Sequence, residues 1–283
     1  MTDSGPGNGI LTAGGRWSTL RWGLRSDPGH LRTTNEDFAG VIAPEGAETT
    51  WDRSPLFVVA DGMGGHASGE VASSVAVTTA LDAWASGPAG SGALRGVLRS
   101  ANLAVFDMAN KPEHRGMGTT ITALCFEGSQ AAVAHVGDSR AYLVHDSACV
   151  QLTSDHSRVA EMVRMKMLSP EQAANHPMRS QLTRSLGNEP LVQVDLTRQT
   201  LERGDVLVLC SDGLWDLVSR AEIALAVAPL QSEHEEARGA ASTLVDLALE
   251  RGAPDNVTAV VVAVTADPPI APEARRSFFR RRS

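Results

Sequence analysis

Residues 119–152 read TTITALCFEGSQAAVAHVGDSRAYLVHDSACVQL, and this stretch decides the fold class. It divides into four short runs, at 119–126, 131–136, 141–145 and 149–152, that are apolar or alternate between apolar and polar residues. Turn residues such as Gly128 and Gly137 separate the runs. Runs of this length, broken by Gly, Ser and Asp, are typical of β-strands joined by tight turns. The stretch therefore predicts consecutive antiparallel strands in the middle of the chain.

The sequence on either side of this stretch adds helices and further strands. Residues 56–60 predict a buried strand that runs into a glycine-rich turn, and helical spacing of apolar residues predicts a helix after His66 and another at 94–108. Further along, the pattern predicts strands at 191–201, 206–210 and 257–264 and helices at 221–227 and 234–251. Paired helices around antiparallel strands predict a layered α/β sandwich of the α+β class, and not the alternating units of a parallel sheet.

The composition is that of a globular domain with an acidic balance. Of the 283 residues, 42% are hydrophobic and 20% charged, which excludes disorder of the whole chain. The formal net charge of −8 disfavours nucleic-acid binding and suggests bound cations. Three distant cysteines offer neither a disulfide framework nor a zinc–thiolate site, so we expect a reducing, cytoplasmic location. No run approaches the roughly 18 apolar residues of a transmembrane segment.

We predict one domain between two terminal segments. Residues 1–16 are polar and rich in glycine, which predicts a flexible leader. The domain then spans 17–265, and we expect it to be a monomer. Residues 266–283 form a tail with three prolines followed by an arginine cluster. Two interpretations of the tail stay open: a disordered, solubilising end, or a contact for anionic lipid or an acidic partner.

Acidic residues recur in five turn segments. These are Asn35-Glu36-Asp37, Asp61-Gly62, Gly137-Asp138-Ser139, Ser211-Asp212-Gly213 and Asp255-Asn256. Most of them adjoin an apolar strand, so a rigid sheet can aim their carboxylates into one cleft. Converging carboxylates repel each other unless cations lie between them, and Mg²⁺ or Mn²⁺ prefers such oxygen ligands. A single Asp-Gly pair is equally explained as a turn, but five such segments in this order predict a metal site.

Together these motifs resemble the metal-dependent Ser/Thr protein phosphatases of the type 2C (PPM) class, in their bacterial form. The matching segments are RTTNED at 32–37, DGMGGH at 61–66, GTT at 118–120, VGDSR at 136–140, LTSDH at 152–156, LTRSLG at 182–187, SDGL at 211–214 and DN at 255–256. The resemblance implies a four-layer α/β/β/α sandwich with a central antiparallel β-sandwich flanked by helix pairs. It also implies hydrolysis of phosphoserine and phosphothreonine in proteins, opposing Ser/Thr kinases in bacterial signalling.

The same resemblance implies two Mn²⁺ or Mg²⁺ ions and a weaker third ion. Asp61 would bridge the two principal ions, and the carbonyl of Gly62 would bind one of them. Glu36 would face the second ion, directly or through water. Asp37 would be an outer-shell partner of metal-bound water.

The remaining motif residues receive roles in the same way. Asp212 and Asp255 would hold the first ion, and Asp138 would share the third ion with Asp212. Arg32 matches the arginine that grips the substrate phosphate, which suits a planar guanidinium able to bind two oxygens at once. Asn256 is expected to orient Asp255 or its loop.

The proton donor for the leaving group is left open by the sequence. Animal relatives carry a histidine two residues after the bridging aspartate, but this chain has Met63 there. His66 and His156 are the nearest motif histidines. Each has two interpretations: support of the site chemistry, or a structural histidine bonded to the backbone.

Residues 157–190, which we call the flap, resemble the mobile flap of bacterial members. The flap is net basic within an acidic domain. It either borders the active site and selects phosphoprotein substrates, or is a solvated helical surface. The alternative function for the whole chain is a catalytically weak pseudophosphatase or regulatory binding module. Such a module would be expected to lack metal carboxylates, whereas Asp61, Asp212 and Asp255 are all present.

Overall fold

The computed structural model describes residues 11–17, 19–42, 54–64, 68–88, 90–231 and 236–267. These residues form twelve β-strands and seven α-helices. The strands are β1 (Leu11–Trp17), β2 (Leu20–Asp27), β3 (Asp37–Ile42), β4 (Leu56–Met63), β5 (Gly118–Thr119), β6 (Ile121–Glu127), β7 (Gln130–Val136), β8 (Arg140–His145), β9 (Ala148–Gln151), β10 (Asp195–Thr200), β11 (Val206–Cys210) and β12 (Val257–Val264). The helices are α1 (Ser68–Ser86), α2 (Leu94–Ala109), α3 (Arg158–Arg164), α4 (Pro170–Ala174), α5 (Asp212–Trp215), α6 (Arg220–Val227) and α7 (Ala237–Glu250).

The strands form two antiparallel sheets. One sheet has the order β1-β2-β12-β11-β8-β9, and the other has the order β10-β7-β6-β4-β3, with β5 paired to the end of β4. The predicted run of antiparallel strands is present as two hairpins, β6–β7 and β8–β9. The hairpins lie in different sheets, however, because the chain crosses between the sheets after β7. Gly137 makes this crossing with a φ of 114°, a conformation that favours glycine.

Side chains of the central strands alternate between two hydrophobic cores. In β4, Phe57 and Val59 pack between the sheets, whereas Leu56 and Val58 pack beneath α1 and α2. The other sheet is covered in the same way by α6 and α7. Because both faces of each sheet are covered, the central strands read as continuous apolar runs. The four layers confirm the predicted α/β/β/α sandwich.

The predicted leader is too long at its C-terminal end. Residues 11–16 belong to β1, which pairs with β2 from Leu11 opposite Ser26 to Trp17 opposite Leu20. Two glycines hid this strand from sequence reasoning, since glycine has little strand preference. A Cβ at Gly14 would lie 3.1 Å from Arg238 Cβ, so glycine here permits close packing beneath α7.

One predicted strand is shorter in the structure, and parts of both predicted terminal segments lie outside the described residues. The strand predicted at 191–201 is shorter, since β10 begins only at Asp195. Residues 1–10 of the leader and 268–283 of the tail lie outside the described residues. None of the helices in the described ranges is long and apolar enough to cross a membrane.

Candidate metal-binding active site

Residues distant in sequence converge on one cavity at an edge of the sandwich. The cavity has a volume of about 310 Å³, and its lining includes Arg32 and five acids: Glu36, Asp61, Asp138, Asp212 and Asp255. The acids come from the loop before β3, the end of β4, the crossing after β7, the start of α5 and the loop before β12. The structure therefore brings together the acids that the sequence motifs singled out, with the exception of Asp37.

The electrostatics of the cavity show how closely these carboxylates approach. Burial raises the pKa of Asp61 well above its usual range, and the negative charges of Asp212, Asp37, Asp138 and Asp255 raise it further. Burial is the main cause that raises the pKa of Asp212 to about 6, and the negative charge of Asp255 is the second cause. Burial and then the charge of Asp212 raise the pKa of Asp138 to about 8. The carboxyl groups of Asp61 and Asp212 are close enough to influence each other's pKa. Such mutual destabilisation of charge is relieved when cations lie between the groups.

The backbone at the end of β4 is fixed by its neighbours. The Asp61 N–H donates to Thr120 Oγ1 (2.9 Å), and the Asp61 carbonyl accepts from the Thr120 N–H (2.9 Å) and Thr119 Oγ1 (2.8 Å). A Cβ at Gly62 would lie 2.0 Å from the Gly69 carbonyl oxygen, so only glycine fits between β4 and α1. Asp61 is thus held on a rigid strand end with its position set by buried bonds.

Asp37 lies behind the cavity wall and not on it. Its side chain is 5% exposed, and its Oδ2 accepts hydrogen bonds from Ser211 Oγ (2.6 Å) and Thr258 Oγ1 (2.7 Å). Burial, partly opposed by these two bonds, raises the pKa of Asp37 to about 7. This placement fits the outer-shell role expected of Asp37 and does not fit direct metal ligation.

Asn256 holds the loop that carries Arg32 and Glu36. Its Oδ1 accepts from the Glu36 N–H (2.8 Å), and its Nδ2 donates to the carbonyls of Pro28 (2.9 Å) and Thr34 (3.0 Å). With a side chain 4% exposed, Asn256 thereby ties the loop to the start of β12. The prediction is that Asn256 orients Asp255 or its own loop, whereas these bonds hold the separate loop at 28–36.

Arg32 and Glu36 face the cavity from this loop. Arg32 Nη2 donates to Asp255 Oδ2 (2.8 Å), and about half of the Arg32 side chain is exposed at 49%. The Glu36 carboxylate accepts a backbone hydrogen bond from Gly69 in the first turn of α1, while burial raises the pKa of Glu36. The arginine is therefore at the open side of the cavity, next to the acids.

Asp138 is held by a tryptophan that the sequence analysis did not single out. Trp215 Nε1 donates to the Asp138 carbonyl (3.0 Å), and the guanidinium of Arg140 lies 3.5 Å from the centroid of the Trp215 ring. A Cβ at Gly137 would lie 2.6 Å from Thr120 Cβ, which fixes the turn on its other side. The only sequence signal for Trp215 is its position directly after the SDGL motif.

His156 is a buried connector, and it does not line the cavity. Its Nδ1 accepts from the Gly137 N–H (3.0 Å), which leaves the proton on Nε2 to be donated to Asp195 Oδ2 (3.1 Å). Burial lowers the pKa of His156, so the neutral form is favoured. The geometry supports the structural interpretation of this histidine. His66 lies outside the described residues.

The flap contributes to the same cavity. Ser180 and Leu182 line it together with Met63 and Thr120. Leu182 begins one of the recognised motifs, but Ser180 carried no sequence signal. Of the two interpretations of the flap, this contact favours the one in which it borders the site.

The donor set fits hard divalent cations. The cavity offers carboxylate oxygens and the backbone of Gly62, which are the ligand types of Mg²⁺ and Mn²⁺. Within the described residues, no three His, Cys, Asp or Glu side chains enclose an ion by themselves. An ion here would complete its coordination with water, as Mg²⁺ commonly does.

Comparison with known proteins adds independent evidence. A family model described as Protein phosphatase 2C matches residues 29–257. A putative protein phosphatase 2C-type of Streptococcus pyogenes is 36% identical over 248 residues, covering 86% of this chain and 97% of that protein. The serine/threonine protein phosphatase PstP of Mycobacterium tuberculosis is 38% identical over 249 residues. That match covers 87% of this chain but 45% of the mycobacterial protein, so the chain spans less than half of that relative.

A solved structure extends the likeness to three dimensions. The catalytic domain of PstP, crystallised in complex with two manganese ions, superposes with a TM-score of 0.72 and 37% identity. The match covers 87% of this chain and 98% of that one. Because the family model spans most of the sequence and the relatives exceed 30% identity over nearly all of it, this chain belongs to the protein phosphatase 2C family.

Proposed function

We propose that this phosphatase removes phosphate from phosphoserine and phosphothreonine in proteins, using two Mn²⁺ or Mg²⁺ ions and water as the nucleophile. The observation that carries the proposal is the convergence of five buried or half-buried acids on one cavity beside Arg32. The raised pKa of Asp61 indicates a site that is electrostatically incomplete without cations. The two ions in the related PstP structure support the same number here.

The residues that would hold the ions are those that the family resemblance implies, and their convergence on one cavity supports the assignment. Asp61, at the centre of the acidic cluster, would contact both ions. The Gly62 carbonyl and Glu36 would complete the ligands of one ion. Asp212 and Asp255 would complete the ligands of the other ion. Asp138 with Asp212 would hold a weaker third ion. When bound, such ions lower the pKa of water towards neutrality and neutralise charge on phosphoryl oxygens.

The substrate phosphate would be bound by Arg32. Its guanidinium already donates one bond to Asp255, and its half-exposed side chain leaves other donors available at the open side of the cavity. A planar guanidinium can bind two phosphoryl oxygens at once, which fixes the phosphate for in-line attack. Asn256 supports this step indirectly, because it holds the loop that carries Arg32.

The leaving alkoxide would take its proton from water. Met63 occupies the cavity wall where animal relatives carry a histidine, and a thioether has no proton to give. His156 is turned away, with both ring nitrogens occupied by Gly137 and Asp195. We further propose that the enzyme acts as a cytoplasmic monomer and opposes Ser/Thr kinases in bacterial signalling.

Hydrolysis of p-nitrophenyl phosphate and of a phosphothreonine peptide tests the proposal. We expect turnover with Mn²⁺ or Mg²⁺, none with EDTA, and a loss of about a thousandfold in Asp61→Asn. Asp246→Asn is the matched control, since Asp246 is an exposed aspartate bonded to Arg25. Activity that survives EDTA would refute the metal mechanism. Metal binding by calorimetry without any turnover would favour the alternative, a pseudophosphatase or binding module.

A further inference from the structure

We call the cavity lined by Arg32 and the five acids the metal cavity. A second cavity adjoins it on the side of the flap. It has a volume of about 620 Å³, twice that of the metal cavity, and lies between the flap helices α3 and α4 and the segment that carries α5. Asp138, Ser180 and Asp212 line both cavities. The two spaces are therefore adjacent, and we call the second one the flap cavity.

The wall of the flap cavity is mixed, and its apolar residues form a patch on the flap side that is faced by Trp215. Val159 and Val163 project from α3, Pro170 and Ala173 come from α4, and Trp215 lies at the end of α5. A space of this size with an apolar patch beside polar groups is typical of ligand sites in proteins. The patch suits an apolar side chain.

Four charged residues of the flap cavity form two ion pairs with each other. Arg140 forms a fork-like ion pair with Asp155, with Nη2 to Oδ2 at 2.7 Å and Nε within 3.2 Å of both carboxylate oxygens. Across the cavity, Arg179 of the flap donates to Asp216 Oδ2 (2.8 Å). The two other arginines of the lining, Arg164 and Arg220, are exposed and donate to the Asp155 carbonyl (3.0 Å) and to Gln151 Oε1 (2.8 Å). Apolar contact with the patch is therefore an interaction that the lining leaves open to a ligand.

We propose that the flap cavity binds an apolar side chain of the substrate protein, one to three residues from the phosphorylated serine or threonine. This inference rests on the proposed function, because it needs the phosphate to lie in the metal cavity. An extended chain advances about 3.3 Å per residue, so a neighbour of the phosphorylated residue reaches an adjoining cavity within a few residues. The substrate chain would pass from the metal cavity to the flap cavity along the shared lining residues. The apolar patch would favour an apolar side chain there.

The test compares phosphothreonine peptides that differ at one position. Each peptide carries leucine or glycine at one of the three positions on either side of the phosphothreonine, and kcat/KM is measured with Mn²⁺. We expect the native enzyme to prefer leucine about tenfold at one or more positions, as a well-fitting apolar pocket does. The ratio of leucine to glycine peptide is the readout, because it cancels changes in the metal cavity.

Two tryptophan variants separate the cavity from the rest of the flap. Ala173→Trp fills the flap cavity, and we expect the preference to disappear. Met167→Trp adds the same side chain to the same flap at a position that is 63% exposed and outside the cavity, and we expect the preference to remain. If Ala173→Trp does not fold, Val163→Thr places a hydroxyl in the cavity at nearly constant volume and should reduce the preference severalfold.

The outcomes distinguish this inference from the proposed function. Turnover of p-nitrophenyl phosphate and of all peptides at equal rates overturns the flap-cavity proposal and leaves the phosphatase function intact. A leucine preference that persists in the cavity variants also overturns it. No turnover of any phosphate ester by the native enzyme with Mn²⁺ removes the proposed function and this inference with it.

Discussion

The metal cavity has one wall built from the sandwich and one built from the flap. On the sandwich side, Asp61 lies near the end of β4 and Asp212 follows β11, and both strands have apolar side chains buried on both faces. On the flap side, Ser180 follows two helices of seven and five residues, in which only Val159 is buried. The first wall is rigid because any movement would disturb the core. The second is stabilised mainly by local bonds.

The difference indicates that the two walls serve different functions. Ions and phosphate need positions fixed to a fraction of an ångström, which a packed sheet provides. Protein substrates differ in shape, and short helices with little buried surface can adjust to them at low cost. The helices of the flap depend on their caps, since Ser157 accepts from the Ala160 N–H and Ser169 forms a capping box with Gln172.

The first prediction breaks the rigid wall. In Gly62→Ala the new Cβ would meet the Gly69 carbonyl at 2.0 Å, so β4 or α1 must shift. We expect kcat/KM for p-nitrophenyl phosphate to fall by about a hundredfold, since a displacement of about 1 Å can cost that much. Gly96→Ala, where the added Cβ meets nothing within 4 Å, is the matched control and should be neutral or slightly stabilising. Equal activity of the two variants would contradict a rigid wall.

The second prediction concerns metal removal and pH. The folded-state pKa values of Asp212, Asp37 and Asp138, about 6, 7 and 8, exceed the unfolded value of about 3.9. The metal-free folded protein therefore binds more protons between about pH 4 and pH 8, and its stability falls as pH rises through that range. Saturating Mn²⁺ at pH 8 should raise Tm by about 5 °C or more.

Calorimetric scans from pH 5 to pH 8, with and without Mn²⁺, measure this effect. The metal-free slope should be smaller in Asp138→Asn, because the amide cannot ionise. A metal-free Tm that rises with pH over this range would contradict the convergence of buried carboxylates.

The third prediction concerns the hydrogen bonds of His156, which link the sandwich wall to the flap wall. His156 links Gly137, beside Asp138, to Asp195, which also pairs with Arg184 at the end of the flap (2.7 Å). His156→Ala leaves the buried Gly137 N–H without its partner, so we expect a loss of about 2 kcal/mol in the free energy of unfolding. We also expect kcat to fall about tenfold through displacement of the turn.

Urea unfolding and steady-state kinetics measure these two losses. His114→Ala is the control, since His114 lies outside the site and its ring Nδ1 makes no hydrogen bond within the described part of the chain that the substitution would remove. A change in stability with kcat unaltered would restrict His156 to a role in folding.

The fourth and smallest prediction concerns the flap alone. Ser169→Ala removes the capping box of α4, which is worth about 1 kcal/mol locally. We expect faster hydrogen exchange in α4 with no change in the global Tm. Ser219→Ala removes the same kind of box from α6, which packs on the sandwich through Ile223, and should lower the global Tm. Equal effects on Tm would mean that the flap unfolds together with the sandwich.

Sequence reasoning predicted the site better than it predicted the connections. The acids at strand ends were found because each motif follows or precedes an apolar run and contains turn residues. Such a pattern indicates a side chain at the exposed end of a buried strand. The crossing between sheets at Gly137 was not found, because strand periodicity gives the faces of a strand and not its partner. Strand β1 was missed because Gly14 and Gly15 conceal its alternation.

The sequence by itself determined the chemistry of this protein: which side chains are acidic, where glycine is needed, and that Arg32 precedes Glu36 by four residues. Only the tertiary structure decided which acids face the cavity. It placed Asp37 behind the wall and Trp215 against Asp138. It also placed the flap cavity beside the metal cavity. Side-chain identity is local, whereas convergence depends on the packing of strands distant in sequence.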